Sequence, residues 1–129
     1  MKHLLITTIA AVVLVGCGPS VPDISIHKAA ADGNIVAVKQ HITAGADVNA
    51  KDKYGYSPPL HSAALFDHKE IIELLIANGV NVNAKNLTDK TPLDWANTLN
   101  RPEIADLLRK HGAKTAEELK AEDNPAEPD

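Results

Sequence analysis

Aromatic side chains are scarce in this sequence: of 129 residues only Tyr54, Tyr56, Phe66 and Trp95 carry one. Large rings therefore cannot fill an interior, and a core has to be made from Ala, Val, Leu and Ile within the 44% hydrophobic fraction. Small and aliphatic side chains suit closely stacked helices better than a sandwich of sheets. Cysteine occurs once, as Cys17, which excludes a disulfide within the chain. Positive charge is also in deficit, with 13 Lys and Arg against 17 Asp and Glu and a formal charge of -4. That balance argues against nucleic acid as a partner, because phosphate binding draws on an excess of cations. The longest uncharged apolar run, Leu4 to Val15, is about a dozen residues, short of the roughly 20 needed to span a bilayer. The length allows one domain at most.

What is present begins with that run. Lys2 precedes it and Leu14-Val15-Gly16-Cys17 ends it, the layout of a secretory signal. The ending resembles the lipobox of bacterial lipoproteins. The resemblance implies that residues 1–16 are a signal peptide, cut just before Cys17, and that the Cys17 thiol is lipidated with diacylglycerol. Small residues before the cysteine let an extended chain enter the peptidase. Two or three acyl chains anchor stably where one does not. The structural alternative is a plain buried thiol at the end of an uncleaved anchor. Gly18 stands where Asp resembles an inner-membrane retention signal in enteric bacteria, so the expected address is the periplasmic side of the outer membrane. Residues 17–22 are then the lipidated cysteine and a short linker, stiffened by Pro19 and Pro22.

A repeat follows. ITAGADVNAKDKYG (42–55) matches IANGVNVNAKNLTD (76–89), with Gly45 and Gly79, and Asn49 and Asn83, 34 apart. Gly79 to Gly112 and Leu60 to Leu93 are both 33 apart, which gives three units of about 23–52, 53–85 and 86–115. Each has two short helical patterns and a turn-rich link. In the second, Pro59 opens a first helix continued by LHSAALF, and Asp67 and His68 make the turn. KEIIELLIAN follows, too densely apolar for a wet helix, and Gly79 stops it. In the third, Thr91 caps, Pro92 sits at the first helical position, Pro102 opens the second helix and Gly112 closes it.

These residues resemble the ankyrin family, whose units start Thr-Pro-Leu-His-x-Ala-Ala and end Gly-Ala-Asp-Val-Asn-Ala. The matching stretches are Thr91-Pro92-Leu93, Leu60-His61-Ser62-Ala63-Ala64, Gly45-Ala46-Asp47-Val48-Asn49-Ala50 and Gly79-Val80-Asn81-Val82-Asn83-Ala84. The resemblance covers 23–115 and implies an all-α solenoid of three helix-turn-helix repeats joined by hairpin loops. Ser57-Pro58-Pro59-Leu60 is one residue longer than the usual start, and the extra residue is expected to bulge the hairpin. In the first unit Ser25 replaces the proline, and Gln40 and His41 stand where apolar residues are usual. Both suit a terminal repeat with a wet outer face. Asp94 and Trp95 depart from the pattern in the third. Residues 116–129 read as a short capping helix, signalled by Thr115 and Glu118, and an acidic disordered tail.

Candidate chemistry is thin. His27 and His61 hold the family's histidine position, which implies a structural bond to the hairpin. No histidines fall at metal-ligand spacing, and no nucleophile–base pair or phosphate loop stands out. The chain is therefore read as a non-enzyme without cofactor or metal, and as a monomer. In ankyrin stacks the hairpin tips and exposed side of each first helix form a concave binding face. Mapped here it comprises Lys51, Lys53, Tyr54, Tyr56, Leu65, Phe66, Lys85, Leu87, Lys90 and Leu99. Aromatic residues dominate binding hot spots, although Tyr54 and Tyr56 have a plainer role as hairpin stiffeners. The expected function is capture of a protein partner in the bacterial envelope. The alternatives are periplasmic immunity or inhibition directed at a toxin or hydrolase, a metal-dependent enzyme, and a passive envelope component.

Overall fold

The computed structural model describes residues 21–53 and 57–124. The expected signal peptide and lipidation site at Cys17, most of the expected linker, Tyr54, Tyr56 and residues 125–129 of the expected acidic tail lie outside them. Seven helices follow in order: α1 Ile26–Asp32, α2 Ile35–Thr43, α3 Pro59–Leu65, α4 Lys69–Ala77, α5 Pro92–Thr98, α6 Pro102–Lys110 and α7 Ala116–Asp123. The described residues contain no strand, so the chain is an all-α solenoid.

None of these helices exceeds nine residues, and an isolated helix of that length is marginal in water. Packing must hold them. The first helices α1, α3 and α5 stack in sequence, each also lies on the second helix of its own unit, and α2 touches α4. Fully buried Ala29, Ala30, Ala63, Ala64 and Ala96 line the first helices, where small side chains let neighbours approach. Leu60 and Leu93 fill the space between, while Val38, Ile71, Ile72, Leu75, Ile104 and Leu108 contribute from the second helices. This single cluster is continuous from Ile26 to Ala113, so no unit has a core of its own.

Helix starts follow local chemistry. Thr91 and Asp94 form a reciprocal capping box ahead of Pro92, the Asp94 amide donating to the Thr91 hydroxyl and the Thr91 amide to the Asp94 carboxylate. In the first unit Ser25, standing in for proline, caps instead: its hydroxyl accepts from the Lys28 amide at 3.1 Å and α1 begins at Ile26.

Between the two helices of each unit the chain reverses through a left-handed residue: Gly33, Asp67 and Asn100, with φ of 77°, 66° and 53°. In the second and third units the residue after the reversal reaches back to the preceding unit. The His68 Nε2 donates to the Ala31 carbonyl at 2.9 Å, and Arg101 reaches the equivalent Leu65 carbonyl while pairing with Asp67 at 3.3 Å. Asn34 has no preceding unit to reach and turns inward, accepting from the Ala37 amide at 3.0 Å.

His41 departs from expectation. Instead of lying on a wet outer face it is buried, and its Nε2 donates to the Ile24 carbonyl at 2.7 Å. An imidazole N–H here closes the segment before α1 over α2, a bond no aliphatic side chain could make.

Gly33 tests the turn between units. A Cβ there would come within 2.7 Å of the His68 ring, whereas one on Gly79 would meet nothing within 4 Å. Both residues have positive φ, so each substitution carries the left-handed penalty. Gly33→Ala is expected to cost about 3 kcal/mol in urea unfolding and Gly79→Ala about 1 kcal/mol.

Candidate partner-binding face

The links between units lie over the N-terminal ends of the first helices, pinned there by bonds from side chain to backbone. His27 Nε2 donates to the Ala50 carbonyl at 2.6 Å and His61 Nε2 to the Lys90 carbonyl at 2.9 Å. Asn49 accepts from the Asn81 amide at 2.6 Å, and its counterpart Asn83 accepts from the Lys114 amide at 2.7 Å. Each asparagine thus ties the end of one unit to the end of the next. The regular spacing of Asn49 and Asn83 is the signal for this pairing, but spacing alone does not say which backbone they reach.

Each link closes at its root. The Asp52 amide donates to the Ser57 carbonyl and the Asn86 amide to the Lys90 carbonyl, both at 3.0 Å. These bonds occupy equivalent places, yet the first encloses one residue more. The extra residue is therefore absorbed between Asp52 and Ser57, and α3 starts in register. At the second tip the Asn86 side chain accepts from the Thr88 amide, the Thr88 hydroxyl and the Lys90 amide at 2.8–3.0 Å. That ring of bonds holds the turn and leaves Leu87 outside it, 61% exposed.

Phe66 and Leu99, 33 residues apart, are the C-terminal caps of α3 and α5. They are 52% and 36% exposed, and the matching place in the first unit is taken by the exposed Asp32. Leu65 is half-buried beside Phe66. Lys51, Lys53 and Lys90 are exposed, while Lys85 is half-buried and pairs with Asp89 at 3.4 Å. The sequence-derived residues therefore fall into two rows. Leu87 and the four lysines lie at the hairpin end of the first helices, and Leu65, Phe66 and Leu99 at the turn end. A seven-residue helix separates these rows by about 10 Å.

A family model for ankyrin repeats in three copies matches residues 26–118. The chain belongs to the ankyrin-repeat family. An ankyrin repeat-containing protein of Schizosaccharomyces pombe is 34% identical over 92 residues, covering 70% of this chain and 42% of that protein. Protein fem-1 homolog C of Homo sapiens is 45% identical over 64 residues, covering 50% of this chain and 10% of its own length. The 2-5A-dependent ribonuclease of Mus musculus is 35% identical over 71 residues, 54% of this chain and 10% of that protein. The chain thus spans less than half the length of these curated relatives, and what they share with it is the repeats. Ankyrin repeats are in general modules of protein–protein interaction and not catalysts, although one relative bears the name of a ribonuclease.

Within the ankyrin stack the histidines serve the backbone. His27, His41, His61 and His68 each bond a carbonyl distant in sequence, and His111 is an exposed helix cap. The described residues hold no cluster of three or more His, Cys, Asp or Glu that could take a metal ion, and no helix long and apolar enough to cross a membrane. Among the described residues, the buried polar side-chain atoms without a partner are the Nδ1 of His61 and the Nε of Arg101. A second ring proton on His61 would have no acceptor. Burial holds the His61 imidazole below its ordinary value of 6.5 and Lys51 adds to this, against the opposing pull of the Lys90 carbonyl and the Asp94 carboxylate.

The folded ankyrin chain therefore keeps His61 neutral where the unfolded chain takes up a proton. Its contribution to stability is full above pH 6.5 and declines as pH falls below that value. Denaturant midpoints are expected to drop on acidification through that range, and His61→Gln should flatten part of that slope.

Proposed function

We propose that this ankyrin protein is a lipid-anchored binding module of the bacterial cell envelope, held at a membrane through Cys17 and capturing a protein partner. The anchoring rests on the sequence MKHLLITTIAAVVLVG followed by the chain's one cysteine. Residues 18–22 leave a short tether, so the stack searches only close to its membrane. The periplasmic side of the outer membrane is the favoured address.

The observation that carries the binding reading is the placing of apolar surface. Among the described residues the large hydrophobic side chains left exposed are Val21, Val36, Phe66, Leu87 and Leu99. Three of these lie on the hairpins and first-helix ends, at positions that the solenoid does not need for its core. Phe66 is the aromatic kind of side chain that binding hot spots favour, Leu87 and Leu99 add apolar contact beside it, and neighbouring lysines supply a polar rim. Tyr54 and Tyr56 belong to the same hairpin as Lys51 and Lys53 and join the proposed face from the sequence.

Two measurements check the two parts. Cys17→Ser is expected to move the protein from the membrane to the soluble fraction and to remove the acyl mass from its N-terminus. If this variant carries no acyl mass and still stays with the membrane, the anchor reading is wrong. For the face, photo-crosslinkers placed at Phe66, Leu87 or Leu99 in native membranes should yield one common adduct that a crosslinker at Val36 does not. Phe66→Ala with Leu87→Ala should then weaken capture at least about tenfold and change stability by no more than about 0.5 kcal/mol. Capture that survives this pair, or an adduct confined to Val36, places the binding surface elsewhere.

A further inference from the structure

Helix α7 differs from the other described helices in having no buried residue. It is also absent from the helix pairs that pack closely on one another. Its one larger apolar side chain, Leu119, remains partly exposed. Apolar burial therefore does little to hold it against the stack. What holds it is polar. At its start the Thr91 hydroxyl donates to the Lys114 carbonyl at 2.7 Å, and the Ala116 amide donates to the Asp94 carboxylate at 2.9 Å. The family's histidine position, occupied by Asp94 in this unit, has thus become the acceptor for α7. Along the helix, Glu118 pairs with Arg109 at 2.8 Å, and Glu122 pairs with Lys114.

Glu118 and Glu122 are four residues apart and share one face of the helix. The two cations they meet are on the third unit and its link, so both pairs cross from α7 to the stack. By contrast Lys28–Asp32 and Lys85–Asp89 stay within one helix or link, and Arg101–Asp67 joins the turns of the second and third units. All four side chains of the α7 pairs are between 39% and 55% exposed, open to screening by salt. Arg109, with the Thr115 amide, holds the Glu118 carboxyl down at about 2. Mild acid therefore leaves this pair charged, and ionic strength is the lever that reaches it.

We propose that α7 is a latch that undocks as a unit, pivoting at Thr115 while the three repeats stay folded, with ionic strength setting the fraction released. Closed, its two glutamates neutralise Arg109 and Lys114. Open, it bares both cations at the C-terminal end of the solenoid.

The test is native-state hydrogen exchange on the full chain, comparing the Ala116 amide, which bonds the stack, and the amides of residues 119–123, which an undocked eight-residue helix is too short to protect, with those of α3 and α5. Raising NaCl from about 0.02 M to about 0.5 M is expected to speed exchange in α7 about tenfold and leave α3 and α5 unchanged. Glu118→Gln with Glu122→Gln should reproduce the faster exchange at low salt and remove its salt dependence. Glutamine retains the carbonyl oxygen that accepts from the Thr115 amide, so the change isolates the ion pairs. The latch is overturned if α7 ignores salt in the unaltered protein. It is equally overturned if α7 and α5 accelerate together, or if the double variant keeps its salt response.

Discussion

Everything in this molecule depends on side chains of one segment satisfying the backbone of another. Helices of seven to nine residues cannot stand alone, and the links between them contain no strand ladder among the described residues. Their carbonyls and amides are met instead by recurrent side chains. His27 and His61 meet the hairpins, Asn49 and Asn83 join consecutive unit ends, and His68 and Arg101 join consecutive turns. Three parallel lines of polar contact thus run along a stack whose apolar cluster is itself continuous. A single unit taken out of this arrangement would lose its core and its hydrogen-bond partners together.

The same logic explains what was legible in the sequence. The solenoid was readable because its constraints recur: the Thr91-Pro92 start, the spacing of Asn49 and Asn83, and the alanines of the first helices are each demanded by one local geometry. Asp94 was visible as a departure from the pattern, but its consequence was not, because it depends on a backbone amide 22 residues later. His41 misled for a related reason. A polar residue at an outer helix suggests exposure, and only the path of residues 21–25 over α2 shows that it is buried with an acceptor.

The proposed face was legible as a set of residues and not as a shape. Sequence placed Phe66, Leu87 and Leu99 together as exposed positions, and they are exposed. Residue order told the hairpin end of a first helix from its turn end, but it did not show that Phe66 and Leu99 would sit as helix caps in a row apart from the hairpin residues. A partner engaging the proposed face must therefore cover two rows with the buried-alanine helices between them.

The bonds Asp52–Ser57 and Asn86–Lys90 bear on how such a protein changes over time. A loop fastened at its root is insulated from the body that carries it. One residue has already been accommodated between Asp52 and Ser57 without shifting α3, and the entropy of closing a loop rises only slowly with its length. The tips can therefore lengthen, shorten or exchange side chains while the solenoid beneath stays the same. On the proposed face, recognition would rest on residues other than those that fold the chain, and selection could revise the first without reopening the second.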